Sequence, residues 1–276
     1  IRLSCAAMEL ASLIIAMLVT GAVGGVLAGL LGIGGGIVIV PMLEFALGFI
    51  GVDEAVRMHI AVATSLATIV PTSISSARAH HRRDAIDFAV VRYWSPWIAV
   101  GAVAGIVIAA NVGGDFLAAV FAVVAFAAAL KMVLPLDDTS LAADIPRGIF
   151  GPVIPINVGA ISTLMGIGGG TLSVTAMTLC GKPIHRAVGT AALLGLVIVL
   201  PATIGYIISG WGNPLLPAAS LGFVSVPGFL LIAVTTVLFA PLGAKIAHAL
   251  PRRQLGALFG LFLLVVAVRM GYRALF

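Results

Sequence analysis

Two copies of one pentapeptide carry most of the chemistry available to this chain. Gly32-Ile33-Gly34-Gly35-Gly36 returns unchanged as Gly166-Ile167-Gly168-Gly169-Gly170. Glycine lacks a Cβ, so it reaches positive φ and lets other groups approach its backbone closely. Successive N–H groups in such a turn form a concave nest for an anion, and the positive end of an adjoining half-helix reinforces it. Gly32, Gly34, Gly35 and Gly36, with Gly166, Gly168, Gly169 and Gly170, are therefore candidate substrate-binding positions. Hydroxyls lie close by in sequence. Ser162, Thr163, Thr171, Ser173 and Thr175 surround the second copy, whereas the first is followed by Ile37 to Val40 and then Pro41. Thr64, Ser65 and Thr68 stand in the next apolar segment after the first copy. Of these, Thr64, Ser65, Thr171 and Ser173 are candidate ligand donors. The competing expectation is that Ser and Thr bond the preceding turn of their own helix. Close helix packing competes for the glycines, and Gly21, Gly25 and Gly29, spaced at four, fit that role well.

Ionisable groups near the apolar segments are few. Glu44 ends the first charge-free run and His59 follows one loop later. An acid or histidine within a membrane is a proton-relay candidate, and both residues also fit an outer interface in water. Cys5 and Cys180 are too few for a disulfide framework, and Cys180 reads as a small apolar side chain. No HExxH, GxSxG or GxGD pattern occurs, so neither catalytic residues nor a metal site are expected, and no cofactor is called for.

The elements that hold these residues follow from composition. The chain is 61% hydrophobic and 9% charged, against about a quarter charged in soluble domains. It reads as an all-α, polytopic membrane protein with the lipid bilayer as its surroundings. The apolar runs are too long for outer-membrane strands, which alternate over about ten residues. Each pentapeptide lies inside a charge-free run of 34 residues, Leu10–Leu43 and Gly148–Gly181. One helix of that length would extend about 51 Å, against a hydrocarbon core of about 30 Å. Two full spans and a turn would need about 40 residues, so each run is expected to be a broken or re-entrant helix with the glycines at the break. Residues 1–20 read as the start of a retained span and not as a cleaved leader.

Three further spans follow each broken segment: Met58–Ala77, Tyr93–Ala110 and Phe116–Leu134, then Ala187–Ser209, Leu221–Ala244 and a last one to about Arg269. Arg78–Arg92 and Lys245–Arg253 are expected as basic loops, and Gly210–Ser220 as an uncharged turn. This gives a first transmembrane repeat over residues 1–134, a cytoplasmic linker over 135–147 and a second repeat over 148–276. The halves align through the motif, pairing Gly25 with Gly159, Val40 with Val174, Ala61 with Ala191 and Pro71 with Pro201. With Arg78–Arg92 in the cytoplasm, eleven of the fifteen Lys and Arg fall on that side, as topology rules require. The Met58 span then runs inward and the Ala187 span outward, so the repeats are inverted, which would bring both motifs near the midplane. The basic balance belongs to these loops and does not indicate nucleic acid.

The stretch from Gly25 to Gly36 with Val38-Ile39-Val40-Pro41, then His59-Ile60-Ala61-Val62-Ala63-Thr64-Ser65, resembles the TauE/SafE sulfite exporter family. Ser75-Ser76-Ala77-Arg78-Ala79-His80 and, in the second half, Ala187-Val188-Gly189-Thr190-Ala191 extend the resemblance over nearly the whole chain. It implies a multi-pass permease of the bacterial inner membrane whose substrate is a small sulfur oxyanion or organosulfonate, and it adds Thr190 to the candidate hydroxyls. A proton or a sodium ion is the candidate coupling partner, with Glu44 and His59 as relay positions. Thr175 stands where the first half has Pro41, so the second tip is expected to bend less. An anion channel with a Gly-rich backbone pore is the alternative reading.

Overall fold

A computed structural model describes residues 14–15, 17–26, 35–133, 145–146, 148, 151–249 and 252–275. The described chain is helical apart from one short hairpin. In order it forms α1 (Met17–Val26), then α2 (Gly36–Phe49), α3 (Glu54–His81), α4 (Phe88–Asn111), α5 (Gly114–Val133), α6 (Val153–Met165), α7 (Gly170–Leu179) and α8 (Ile184–Ser209). The hairpin β1 (Ser220–Leu221) and β2 (Val224–Ser225) follows, and α9 (Val226–Ala249) and α10 (Arg252–Leu275) complete the chain. Helices α3, α4, α5 and α8 are long and apolar enough to cross a membrane. Helices α9 and α10 have 24 residues each. Helices α6 and α7, of 13 and 10 residues, are half-spans at about 1.5 Å per residue. The protein is an all-α polytopic membrane protein.

Local chemistry sets several helix starts. The Asp53 carboxylate accepts the Ala55 N–H at 2.9 Å at the head of α3. Asp87 does the same for α4, accepting from Ala89 and Val90 at 3.1 and 3.2 Å. Such caps satisfy donors that the helix itself leaves unpaired. The end of α3 differs from expectation. It runs on to His81, so Arg78 and His80 are helical and the loop shrinks to residues 82–87. The Leu221 span also begins later, because Ser220–Ser225 forms the hairpin and α9 starts at Val226 and continues through Lys245 to Ala249. The expected linker lies almost wholly outside the described residues.

Helices α3 and α8 pack together at the centre. Around them α2 packs on α3, α7 on α8, α4 on both α6 and α8, α9 on α3, and α5 on α10. Helix α1 lies on α9, where a Cβ on Gly25 would fall 2.8 Å from Thr236 Cα. Thr236 Oγ1 donates to the Gly21 carbonyl at 3.4 Å. On the other side, Gly101 and Gly105 of α4 sit against the Ile156 and Ala160 carbonyls of α6, and Gly159 of α6 sits against Ile98 of α4. Gly21, Gly25 and Gly159 are thus close-packing positions; Gly29 lies outside the described residues. Exchanging α1–α5 for α6–α10 maps each of these packing pairs onto another in the set or onto itself, whereas the further packing of α3 on α5 has no equal counterpart between α8 and α10.

Candidate functional site

The second charge-free run breaks at its glycines. Helix α6 ends on Gly166 (φ +69°) and α7 begins after Gly169 (φ +71°). Both values lie in the left-handed region, where a Cβ costs about 1–2 kcal/mol. Within the break, the Ile167 N–H donates to the Ser162 carbonyl at 3.0 Å and Gly169 N–H to the Ile167 carbonyl. The first intrahelical bond of α7 runs from Ser173 N–H to the Gly169 carbonyl at 2.8 Å. The N–H groups of Gly170, Thr171 and Leu172 precede it and have no acceptor within the helix. The first tip has the same form at its described end: Gly35 (φ +71°) precedes α2 and accepts from Val38 and Ile39 at 3.0 and 2.9 Å. Gly32 and Gly34 lie outside the described residues.

The two tips meet. A Cβ on Gly36 would fall 2.7 Å from the Gly166 carbonyl oxygen and 3.1 Å from Ile167 Cα. Ile69 of α3 lies over both, reaching Gly36 with Cδ1 and Gly168 with Cγ2, while Val199 of α8 covers Gly168 and Ile198 covers Gly169. The break sits where two apolar clusters join. Ile167 and Val199 pack with α2, α3, α5 and α10, and Ile198 packs with α4, α6 and α7.

The polar groups around this break sort into two kinds. Four hydroxyls, of Ser162, Thr163, Thr171 and Ser173, are buried and have no hydrogen-bond partner among the described residues. Ser162 and Ser173 are fully buried, and Ser162 Oγ lies 3.5 Å from where a Gly169 Cβ would be. Two carbonyls, by contrast, are engaged from outside the break. Ser65 Oγ of α3 donates to the Gly166 carbonyl at 2.8 Å. Tyr206 Oη of α8 donates to the Thr163 carbonyl at 3.3 Å. Buried polar groups are normally paired, and these hydroxyls lie unpaired among the described residues around the N-terminus of α7. No charged residue occurs in Gly148–Gly181, Met58–Ala77 or Ala187–Ser209.

Other expected site residues lie elsewhere. Thr64 Oγ1 accepts the Ser225 N–H at 3.0 Å, where β2 passes into α9. Thr190 Oγ1 accepts the Asp87 N–H at 2.9 Å, at the head of α4. The two threonines thus perform matched tasks, each on a central helix and each holding the residue before a peripheral one. Thr68 donates to the Ser65 carbonyl in its own helix at 2.7 Å. His59 is buried, with Nε2 3.1 Å from the Ala109 carbonyl, its ring stacked on Phe223 at 4.9 Å and Nδ1 without a partner. Glu44 is 2% exposed and is gripped by three arginines. Arg273 hydrogen-bonds Oε1, Arg269 lies 3.2 Å from Oε2, and Arg57 approaches at 3.8 Å. Arg273 also pairs with Glu54 at 3.4 Å. Neither Glu44 nor His59 contacts the described part of the glycine tips in any of these interactions.

The sulfite exporter TauE/SafE family matches residues 17–270, both halves and both glycine tips included. The chain belongs to that family. This TauE/SafE chain is 38% identical over 258 residues to a "Probable membrane transporter protein" of Haemophilus influenzae, covering 93% of this chain and 97% of the relative. A probable membrane transporter protein of Methanocaldococcus jannaschii is 27% identical, with 87% and 88% covered. One from Bacillus subtilis is 25% identical, with 78% and 91% covered. No solved structure matches. The chain is accordingly a multi-pass membrane transporter. Within this TauE/SafE fold, sequence reasoning missed Tyr206 and the arginine partners of Glu44. Arg269 and Arg273 stand 225 and 229 residues from Glu44, and no local pattern signals such pairs.

Proposed function

We propose that this protein is a secondary transporter that moves a small anion, a sulfur oxyanion or organosulfonate, across the bacterial inner membrane. The anion is held at the N-terminus of α7, with the Gly35–Gly36 tip packed beside it. One observation carries the reading: the surplus of hydroxyl donors at the Gly166–Gly170 break. Five of its carbonyls, at Ser162, Thr163, Gly166, Ile167 and Gly169, accept hydrogen bonds, while those of Leu164, Met165 and Gly168 receive none from the described residues. The N–H groups opening α7 and the hydroxyls of Ser162, Thr163, Thr171 and Ser173 have no partner among the described residues. A ligand that only accepts hydrogen bonds fits that surplus, and the helix dipole favours negative charge there by about 0.3–1 kcal/mol when exposed and up to about 2 kcal/mol when partly buried.

The exchange symmetry of most helix contacts supports two repeats, and the distribution of Lys and Arg supports their inversion and a cytoplasmic 82–87 loop. Ile69, Ile198 and Val199 pack over the glycines, which supports a site opened alternately and not a standing pore. The matched anchors at Thr64 and Thr190, which hold the starts of α9 and α4, are a further likeness between the two halves. Of the two relay candidates, His59 is better placed for a coupling proton, because its Nδ1 has no hydrogen-bond partner among the described residues while Glu44 is occupied by arginines. Uptake by the purified protein in proteoliposomes, screened over sulfite, sulfate, thiosulfate and small sulfonates, tests the proposal. Saturable uptake of at least one is expected. Unsaturable current in a planar bilayer would establish the channel alternative, and no flux or binding of any of these anions would remove the reading.

A further inference from the structure

A helix break is electrostatically ambiguous. One half-helix ends in free carbonyls and the other begins with free N–H groups. In unwound membrane segments the carbonyls ligate alkali cations and the N–H groups ligate anions. What decides between them is which set is already consumed. At the Gly166–Gly169 break, the backbone consumes the carbonyls of Ser162, Ile167 and Gly169 and leaves those of Leu164, Met165 and Gly168 without a donor among the described residues. Two more are consumed by side chains from other helices: Gly166 by Ser65 at 2.8 Å and Thr163 by Tyr206 at 3.3 Å. These donors come one each from α3 and α8, the central pair, and both are buried to 1% exposure or less. Burial matters because an unshielded carbonyl in a dry site keeps its full attraction for a cation and its full repulsion for an anion.

We propose that Ser65 and Tyr206 are positioning residues that set the sign of the charge accepted at the break. They do so by occupying two carbonyls that would otherwise face the ligand. The inference rests on the anion-transport reading, and it assigns Ser65 to the protein backbone and not to the substrate. Removing either oxygen adds a free carbonyl to those of Leu164, Met165 and Gly168 and shifts the balance at the break away from its N–H and hydroxyl donors. The site then loses discrimination even though none of the donors facing the anion has been touched.

The test uses Ser65→Ala and Tyr206→Phe, each of which deletes one oxygen and leaves the rest of the shape, with Ser65→Thr as the variant that keeps the donor. Thermal stabilisation of the detergent-purified protein is measured with N-methylglucamine sulfite or thiosulfate and, separately, with sodium and potassium salts of a bulky organic anion. Proteoliposome uptake of the same oxyanions gives KM and kcat apart. The deletions are expected to weaken oxyanion binding and raise KM about tenfold, the loss of about one hydrogen bond. The change in kcat should be smaller, and sodium should now stabilise the variants. Ser65→Thr should bind and transport as the unaltered protein does. Unchanged anion and cation preference in both deletions, at normal abundance, overturns this inference alone, as does a Ser65→Thr variant as impaired as Ser65→Ala. Oxyanion binding without flux overturns only the transport reading. An unaltered protein stabilised by sodium and by no oxyanion overturns both.

Discussion

Replacing Gly169 by alanine adds one carbon at the tightest point of the break. Its φ of +71° lies in the left-handed region, where any residue with a Cβ is disfavoured by about 1–2 kcal/mol. The new carbon would also overlap Ile198 Cδ1. That atom ends a flexible side chain, so the clash resolves by a rotamer change, and overpacking of this kind costs about 1–3 kcal/mol. The sum is about 2–5 kcal/mol. Gly212 provides the control. Its φ is +75°, and nothing lies within 4 Å of its would-be Cβ, so Gly212→Ala bears the backbone strain alone. Unfolding free energies of both variants in mixed micelles should therefore differ by about 1–3 kcal/mol, the packing part. The new methyl also sits 3.5 Å from Ser162 Oγ, between that hydroxyl and the head of α7. Oxyanion uptake per folded molecule should fall in Gly169→Ala and stay normal in Gly212→Ala. Equal stability of the two variants would refute the packing argument, and normal uptake by folded Gly169→Ala would refute the placement of the anion.

Glu44→Gln leaves Arg57, Arg269 and Arg273 facing a neutral amide. A loss of about 2–3 kcal/mol is expected in the same unfolding assay, less than the ~3–5 kcal/mol of a fully buried pair because these arginines reach water. Arg269→Gln, at a side chain 47% exposed, should lose under about 1 kcal/mol; a larger loss than in Glu44→Gln would mean that Glu44 is not the hub. Thr64→Val and Thr190→Val each orphan a backbone N–H, at Ser225 and Asp87, and each should lower stability by about 1–3 kcal/mol. Amide exchange at the two residues should accelerate in the matching variant only, and no change in exchange would show that these hydroxyls hold nothing.

The length of the charge-free runs made the broken helix legible before any coordinates. A 34-residue run fits neither one span nor two, and Gly166–Gly169 is where the second one turns. Gly21 and Gly25 were legible as packing surfaces from their spacing. The hairpin was hidden because Leu221, Phe223 and Val224 are apolar and merge with the span that follows. What sets it apart is tertiary: Phe223 stands beside the rings of His59 and Tyr206, and Ser225 is held by Thr64. The helical extension of α3 through Arg78 to His81 was hidden for the opposite reason, since charge reads as loop while Ala77 and Ala79 favour helix. At the site, residue type predicted which hydroxyls were near the break but not which were free. Thr64, Ser65 and Thr190 are alike in sequence to Thr171 and Ser173, yet the first three are bonded to backbone and the last two are not.

Charge in this protein is kept to the helix ends and withheld from the middle. At one end Arg57, Arg269 and Arg273, all of which the orientation count leaves outside, converge on Glu44 and Glu54. At the other, Lys182 lies 3.7 Å from Asp87, the residue that caps α4. The positive charges that would violate the inside bias are thus offset where they stand. The centre has only partial charges to offer a ligand: helix N–H groups and serine and threonine hydroxyls. A lysine or arginine there would cost at least about 2.5–3.5 kcal/mol to insert and would hold an anion through every conformational change. Conduction and transport both need a ligand bound firmly enough to enter and loosely enough to leave. Neutral donors of the kind proposed for the head of α7 would meet both demands at once. A central Ser173→Arg would accordingly be expected to bind an oxyanion more tightly than the native residue and to move it more slowly.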